Sequence, residues 1–362
     1  MNSRDRVFRT LKHETPDRVP VDVWLSKGTK EKIAAAWKMT EAEFLDAHDV
    51  DFRYIEGPRY VGPALRKFPD GTEEDLWGVR RTRVNAWTPE GREHYEELAR
   101  SPLATATTPD EIENYSHWPS PDWYDFSDIA RQCETVRRKG RVAVFVGDRL
   151  NRVAQLKPAM YLRGVEAIFM DMSLNPEVAH AIFRRIRTFY AAYMTRILDA
   201  ANGRLDIFLT GDDFGSQNGP LVSPAMWTEF LGEGFADYVR LATSNNVRVM
   251  HHSCGSIRPI IPLLAERGLD ILQSLQPEAA GMDPREIKAE FGKRLAFQGG
   301  ISVQKTLPFG TPEDVRREVK RVRETLAPGG GYIFCTSHNI QADAPLRNIQ
   351  ALLDAYREYG NY

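Results

Sequence analysis

His252 and Cys254 stand two residues apart at the end of Val247-Arg248-Val249-Met250-His251-His252, a run that reads as a β-strand. Imidazole and thiolate are both good ligands for a borderline-soft ion such as Zn²⁺. A second pair, Cys335 and His338, follows the last apolar run, Tyr332-Ile333-Phe334. A catalytic zinc usually takes three protein ligands and keeps one position open. His252 and Cys254 supply two, and either Cys335 or His338 supplies the third. Cys335 is the softer ligand and follows the strand directly; His338 lies deeper in the loop Thr336-Ser337-His338-Asn339-Ile340-Gln341. The bland alternative is a buried His/Cys pair that only packs and hydrogen-bonds. Against it stands placement: the chain has three Cys, and two of them fall at strand ends.

A second constellation is Gly211-Asp212-Asp213-Phe214-Gly215-Ser216-Gln217-Asn218-Gly219. Of two adjacent carboxylates, one could ligate or serve as general acid/base while the other orients a histidine or a loop amide. Asp212, Asp213 and Gln217 are therefore the catalytic candidates, with helix capping and turn chemistry as the competing reading. Glu56, Arg149, Gln298 and Asn339 are candidates for substrate binding. Arg149 and Arg152 suit a carboxylate or phosphate. Gly299 and Gly300 let a ligand approach the backbone, but they match no dinucleotide or P-loop fingerprint. Trp77, Trp87 and Tyr60 could stack on a flat ligand or simply pack an insertion down. Strand alternation turns His251 away from the side His252 faces.

These residues need elements to hold them. Apolar strand-like runs alternate with helical patterns, the rhythm of βα units and a parallel sheet. Eight strands are expected, at about residues 18–24, 51–55, 142–146, 207–210, 247–252, 270–272, 295–297 and 332–334. That count implies a (β/α)8 barrel, with a doubly wound sheet as the alternative. Barrels of this kind keep catalytic groups at the C-terminal ends of the strands, where Glu56, Asp212, Asp213, His252, Gln298 and Cys335 all fall. Residues 57–125, rich in Pro, Trp and charge, read as an insertion after the second strand, near the barrel mouth. The whole chain, 1–362, reads as one domain.

Composition narrows the function classes. A net charge of −2 argues against a dedicated nucleic-acid binder. No apolar run approaches the roughly 20 residues of a membrane helix, and the N-terminus has no signal-peptide core. Three Cys in 362 residues make no disulfide framework, so a reducing cytoplasm is the expected compartment.

Five stretches carry a family likeness: Thr15-Pro16-Asp17-Arg18-Val19-Pro20-Val21, Gly211 to Gln217, His251-His252-Ser253-Cys254-Gly255-Ser256, Gln298-Gly299-Gly300-Ile301, and His338-Asn339-Ile340-Gln341-Ala342-Asp343. With them the chain resembles the uroporphyrinogen decarboxylase superfamily over nearly its whole length, which implies a (β/α)8 barrel. The decarboxylases act without metal and carry an arginine-rich segment just after the first strand. Here that place reads Trp24-Leu25-Ser26-Lys27-Gly28-Thr29, with no arginine. The likeness is closer to the corrinoid-dependent methyltransferases, which hold zinc in an H-x-C-(x)n-C pattern. It implies methyl transfer between a corrinoid carried by a partner protein and a small substrate, either a methyl ether or amine donor or a thiol acceptor. His252 and Cys254 match the first two ligands. Cys335 supplies the residue type of the third, and His338 its position relative to Pro345. The alternative is a metal-free decarboxylase acting on a small carboxylate or porphyrinogen-like substrate. Decarboxylases of the superfamily tend to be dimers, so a homodimer is a further expectation.

Overall fold

The computed structural model describes residues 1–147 and 152–362. Seven strands form one parallel sheet in chain order: Phe52–Tyr54, Val142–Phe145, Ile207–Gly211, Arg248–His252, Ile271–Leu275, Ala296–Ile301 and Tyr332–Thr336. The sheet curls until its edges approach, and the segment around Pro20 to Trp24 fills the gap. Phe334 N–H donates to Pro20 O at 2.7 Å on one side, and Asp51 N–H donates to Val21 O at 2.9 Å on the other. The architecture is α/β and TIM-barrel-like. The expected first strand, residues 18–24, makes only isolated bridges, Val21 with Phe334 and Leu25 with Ile340 flanking its end. Pro20 has no N–H to give a ladder, which suits an interrupted strand.

Side chains alternate across a strand with period two. One face gives an apolar plug inside the curled sheet: Phe52, Val142, Val144, Ile207, Leu209, Met250, Ile271, Ala296 and Ile333, joined by Val7 of the first helix, Ser3–Leu11. The other face, with Phe145, Phe208, Val249, Leu272, Phe297 and Phe334, packs in the outer core. The longest helix, Pro176–Ala201, buries Ile182, Phe183, Ile186, Phe189, Tyr190, Tyr193 and Ile197, the three-and-four spacing of an amphipathic face.

Continuing the alternation upward replaces the apolar plug with polar groups. His252, Gln273, Gln298 and Cys335 sit two residues beyond Met250, Ile271, Ala296 and Ile333 of the plug. The register pairs Gly211 with His252, His252 with Gln273, and Gln273 with Gln298. The chemistry therefore starts one layer above the plug.

Residues between Phe52–Tyr54 and Val142–Phe145 form separate small sheets. Arg59–Tyr60 pairs with Tyr124–Asp125, and Glu73–Glu74, Arg80–Thr88 and Gly91–Arg100 make a three-stranded antiparallel ribbon. Glu93 ties the ribbon down. Its carboxylate accepts from Gly28 N–H at 2.9 Å, Ala342 N–H at 3.1 Å and the Ser26 hydroxyl. Only glycine fits at 28: a Cβ there would lie 2.2 Å from the Arg92 carbonyl oxygen.

Candidate functional site

The ligand atoms of His252, Cys254 and His338 all lie within 4.8 Å of one another. His252 ends its strand facing inward. Its Nδ1–H donates to Gln273 Oε1 at 2.9 Å, which leaves the Nε2 lone pair toward Cys254 Sγ, 3.3 Å away. A hydrogen bond on the far nitrogen is how proteins fix the tautomer of a ligating histidine. Trp24 packs against both imidazoles, with ring centroids 5.6 Å from His252 and 5.8 Å from His338. The turn holding Cys254 is tight: Gly255 has φ +82°, and a Cβ on it would lie 2.5 Å from the Gly215 carbonyl carbon.

Asp213 stands beside this group. Its Oδ1 accepts from Cys254 N–H at 3.1 Å and lies 3.6 Å from His252 Nε2, while Oδ2 pairs with Lys157 Nζ at 2.5 Å. Burial works against the Asp213 charge, but the Lys157 ammonium outweighs it and holds the carboxyl well below its usual range. Burial likewise opposes the Lys157 charge, and Asp213 outweighs it, so the ammonium persists. Burial pushes both imidazoles toward the neutral form. Burial and Asp213 push the Cys254 thiol up to about 12.

The donor set fits zinc. It offers two neutral imidazoles and one sulfur, with a carboxylate near the His252 nitrogen. A metal entering here must displace the thiol proton, so uptake would release a proton.

His252, His338 and Asp213 open onto a cavity of about 370 Å³, which Trp24, Trp77, Tyr95, Tyr161 and Tyr190 also line. That volume lies at the small end of ligand pockets. Asn339 lines it too. Trp77 is only 3 % exposed and turns an edge to Phe189; Trp87, at 72 %, is out in solvent, and Tyr60 packs on Trp123.

Other expected site residues are elsewhere. Asp212 is buried, and its carboxylate accepts backbone N–H groups of Gln155, Leu156 and Lys157 at 2.5, 2.9 and 2.7 Å, capping the start of helix Leu156–Arg163. Cys335 is outside the three-ligand group. It lies beside Asp22 and Gln298, and burial and the Asp22 charge push its thiol far up. Gln298 donates to Asp22 Oδ2 at 2.5 Å, and Tyr54 OH donates to the same oxygen at 2.6 Å. Neither Gln298 nor Cys335 lines the cavity. Gln217 is exposed and accepts from Gln276 Nε2 at 3.1 Å; Glu56 is exposed. Arg149 lies outside the described residues. His251 faces away, its ring stacked on Phe214 at 5.2 Å.

Sequence reasoning missed Lys157, Trp24 and Arg81 as cavity residues. Lys157 lies in a helix that the strand–helix rhythm did not mark. A sharper use of alternation, with Val21 and Val23 in the outer core, would have turned Asp22 and Trp24 inward.

The uroporphyrinogen decarboxylase of Neisseria meningitidis serogroup C is 27% identical over 193 residues, 52% of this chain and 50% of that protein. The uroporphyrinogen decarboxylase of Coxiella burnetii is 22% identical over 191 residues, 51% and 48% of the two chains. The chain thus spans about half the length of the curated relatives it matches. Among solved structures, a methyltransferase from Methanosarcina mazei superposes with a TM-score of 0.66 at 17% identity, over 99% of both chains. At that identity the likeness is one of fold. The profile of the uroporphyrinogen decarboxylase (URO-D) family matches residues 105–359, from the ribbon's end to the last helix, and the chain belongs to that family.

Proposed function

We propose that this protein is a zinc-dependent methyltransferase that moves a methyl group between a corrinoid protein and a small substrate, a methyl ether or amine donor or a thiol acceptor. The observation that supports it most is the His252, Cys254 and His338 group, with ligand atoms within 4.8 Å beside a cavity. Three protein ligands facing open space is the pattern of a catalytic rather than a structural zinc. Bound there, zinc would act as a Lewis acid on the substrate heteroatom, or lower the pKa of a thiol substrate.

The chain's own residues prepare that position. Gln273 fixes the His252 tautomer, and Trp24 packs the two imidazoles. Asp213 holds the Cys254 amide and is itself held by Lys157, so the loop carrying the thiol is anchored on a charged pair. The aromatic walls exclude water from a small substrate. The corrinoid, in this reading, arrives on a separate protein.

A second reading is metal-free decarboxylation of a small carboxylate. The names of the curated relatives favour it, as do the cations Lys27, Arg81 and Arg152 along the cavity.

Metal analysis by mass spectrometry separates the two. Wild type and Cys335→Ala should carry about one zinc per chain, and Cys254→Ala and His338→Ala should lose it. Zinc-loaded wild type should transfer the methyl group of free methylcobalamin to an added thiol, or the methyl group of an added methyl ether or amine to free cob(I)alamin, read from the cobalt–carbon absorbance. A wild-type protein that takes up no zinc, and that decarboxylates in the presence of chelator, overturns the methyltransferase reading.

A further inference from the structure

An amine without a counter-charge stands at the end of the barrel opposite the cavity. Lys288, on helix Pro284–Phe291, reaches the turn that enters strand Tyr332–Thr336, where its Nζ donates to Gly330 O at 2.5 Å. The acidic groups nearest in sequence are engaged elsewhere. Glu286 and Glu290, on the same helix, both pair with Arg258, at 2.5 and 2.7 Å, and Glu14 pairs with Arg9 at 3.4 Å. An ammonium drawn partly out of water with no carboxylate beside it loses the advantage of its charge. Burial accordingly lowers Lys288 to about 8.

The side chain that faces this amine is a histidine. His13 lies two residues past helix Ser3–Leu11. A Cβ on Gly331 would lie 2.6 Å from His13 Nδ1 and 3.5 Å from Lys288 Nζ. Gly331 has φ +66°, a conformation that favours glycine. Its missing side chain leaves the imidazole and the amine facing one small space. His13 Nδ1 is buried and has no hydrogen-bond partner among the described residues. Burial and the Lys288 charge push the imidazole toward its neutral form. Both side chains are only half-buried, so a small solute can reach Nζ from the surface. The pair offers what an amine needs to capture carbon dioxide: an available lone pair, a base for the proton it sheds, and no carboxylate to repel the anion formed.

We propose that Lys288 is a carbamate site, where carbon dioxide adds reversibly to Nζ with His13 as its partner. The Nζ lone pair forms the N–C bond, one C=O π pair moves onto oxygen, and the proton leaving nitrogen passes to His13 Nδ1. The N–H that remains on nitrogen keeps the Gly330 carbonyl. The step turns a cation beside His13 into an anion, which raises the basicity of the imidazole and lets the two groups pair. Carbon dioxide is small and uncharged, so it needs no preformed pocket. The competing reading is a structural pin, which asks only for a charged donor to Gly330 O and has no use for His13.

The test is trapping. Folded protein is equilibrated with carbon-13 bicarbonate at about pH 7.5 and treated with triethyloxonium, which fixes a carbamate as its ethyl ester; peptide mass spectrometry then reads which lysine carries the label. At that pH roughly a quarter of an amine titrating near 8 is neutral, against about one in a thousand for an ordinary lysine. The Lys288 label should therefore exceed that of the exposed Lys38 and Lys293 at least about tenfold. The excess should vanish when the chain is unfolded in guanidinium. Lys288→Arg should remove the label, and His13→Gln should cut it about tenfold, the scale of one charge-assisted contact. The comparison among lysines of folded wild type needs no variant, so it stands even if His13→Gln does not fold. A Lys288 label no higher than that of Lys38, or a full label in folded His13→Gln, overturns the proposal.

Discussion

Replacing Asp212 with alanine would leave three N–H groups at the start of helix Leu156–Arg163 without an acceptor. In the native protein, Gln155 and Leu156 donate to Oδ2, and Lys157 donates to Oδ1. Asp212 is 2% exposed, so water cannot readily take over. A buried donor left unmade costs about 1–3 kcal/mol. Three such donors would cost about 3–9 kcal/mol if the costs simply added, a large share of the stability of a typical domain. The Lys157 amide is only partly buried, however, and the helix can shift. We therefore expect a loss of about 3–5 kcal/mol for Asp212→Ala, at the upper end of point substitutions. Asp212→Asn keeps one acceptor oxygen and should lose about half as much. Urea denaturation followed by circular dichroism reads both values. Zinc binding should fall less than stability, because the Asp213–Lys157 pair still faces Cys254. If Asp212 instead works as an acid or base on substrate, Asp212→Ala would fold within about 0.5 kcal/mol of wild type and lose turnover. That outcome would refute the capping argument.

Gln273→Leu should weaken zinc binding about 10–100-fold in a chelator competition, because His252 loses the acceptor that fixes its tautomer; unchanged affinity would show that the bond does not orient the ring. Burial raises the Asp22 carboxyl to about 6, so the folded chain binds that proton more tightly than the unfolded chain does. Wild type should then lose about 3 kcal/mol more than Asp22→Asn, a mimic of the neutral acid, as pH rises from about 4 to about 6; parallel pH profiles of urea stability for the two proteins would rule this out.

Much of the frame was legible because strands in a curled parallel sheet are buried on both faces. They read as short apolar runs, and all seven sheet strands fall where such runs are. Alternation then places His252 inward and His251 outward from the sequence alone. The choice between Cys335 and His338 could not be read in the same way. Cys335 is on the strand Tyr332–Thr336 and stays in the layer of Asp22 and Gln298. His338 comes after a bend in which Thr336 Oγ1 donates to the His338 carbonyl at 2.6 Å and Ser337 N–H donates to Ile301 O at 2.8 Å. A loop path of that kind depends on what it meets in the fold and leaves no period in the sequence. Gln217 and Glu56 are exposed for a related reason: a residue just past a strand end can face solvent as easily as the centre.

The ribbon shows where sequence patterning fails for a physical reason. Arg80–Thr88 and Gly91–Arg100 are dense in charge, and charged residues are normally exposed. Yet Arg81 and Glu93 are 5% and 6% exposed, whereas Arg83, Glu96 and Glu97 are not buried. What separates them is the neighbour each side chain meets. Arg81 reaches Asp75 and Tyr161, and Glu93 reaches Ser26, Gly28 and Ala342 from the barrel. Removing one partner of such a buried pair costs more than the pair contributes, because the other charge is stranded. These two buried charges of the ribbon, beside Glu74, which pairs with Arg66, therefore act as address labels. Glu93 sets where the ribbon lands on the barrel, and that landing brings Tyr95 and Arg81 into the cavity. A chain with the same composition but with these two charges shifted by one residue would turn both outward and lose that wall of the cavity, while keeping every strand of the barrel.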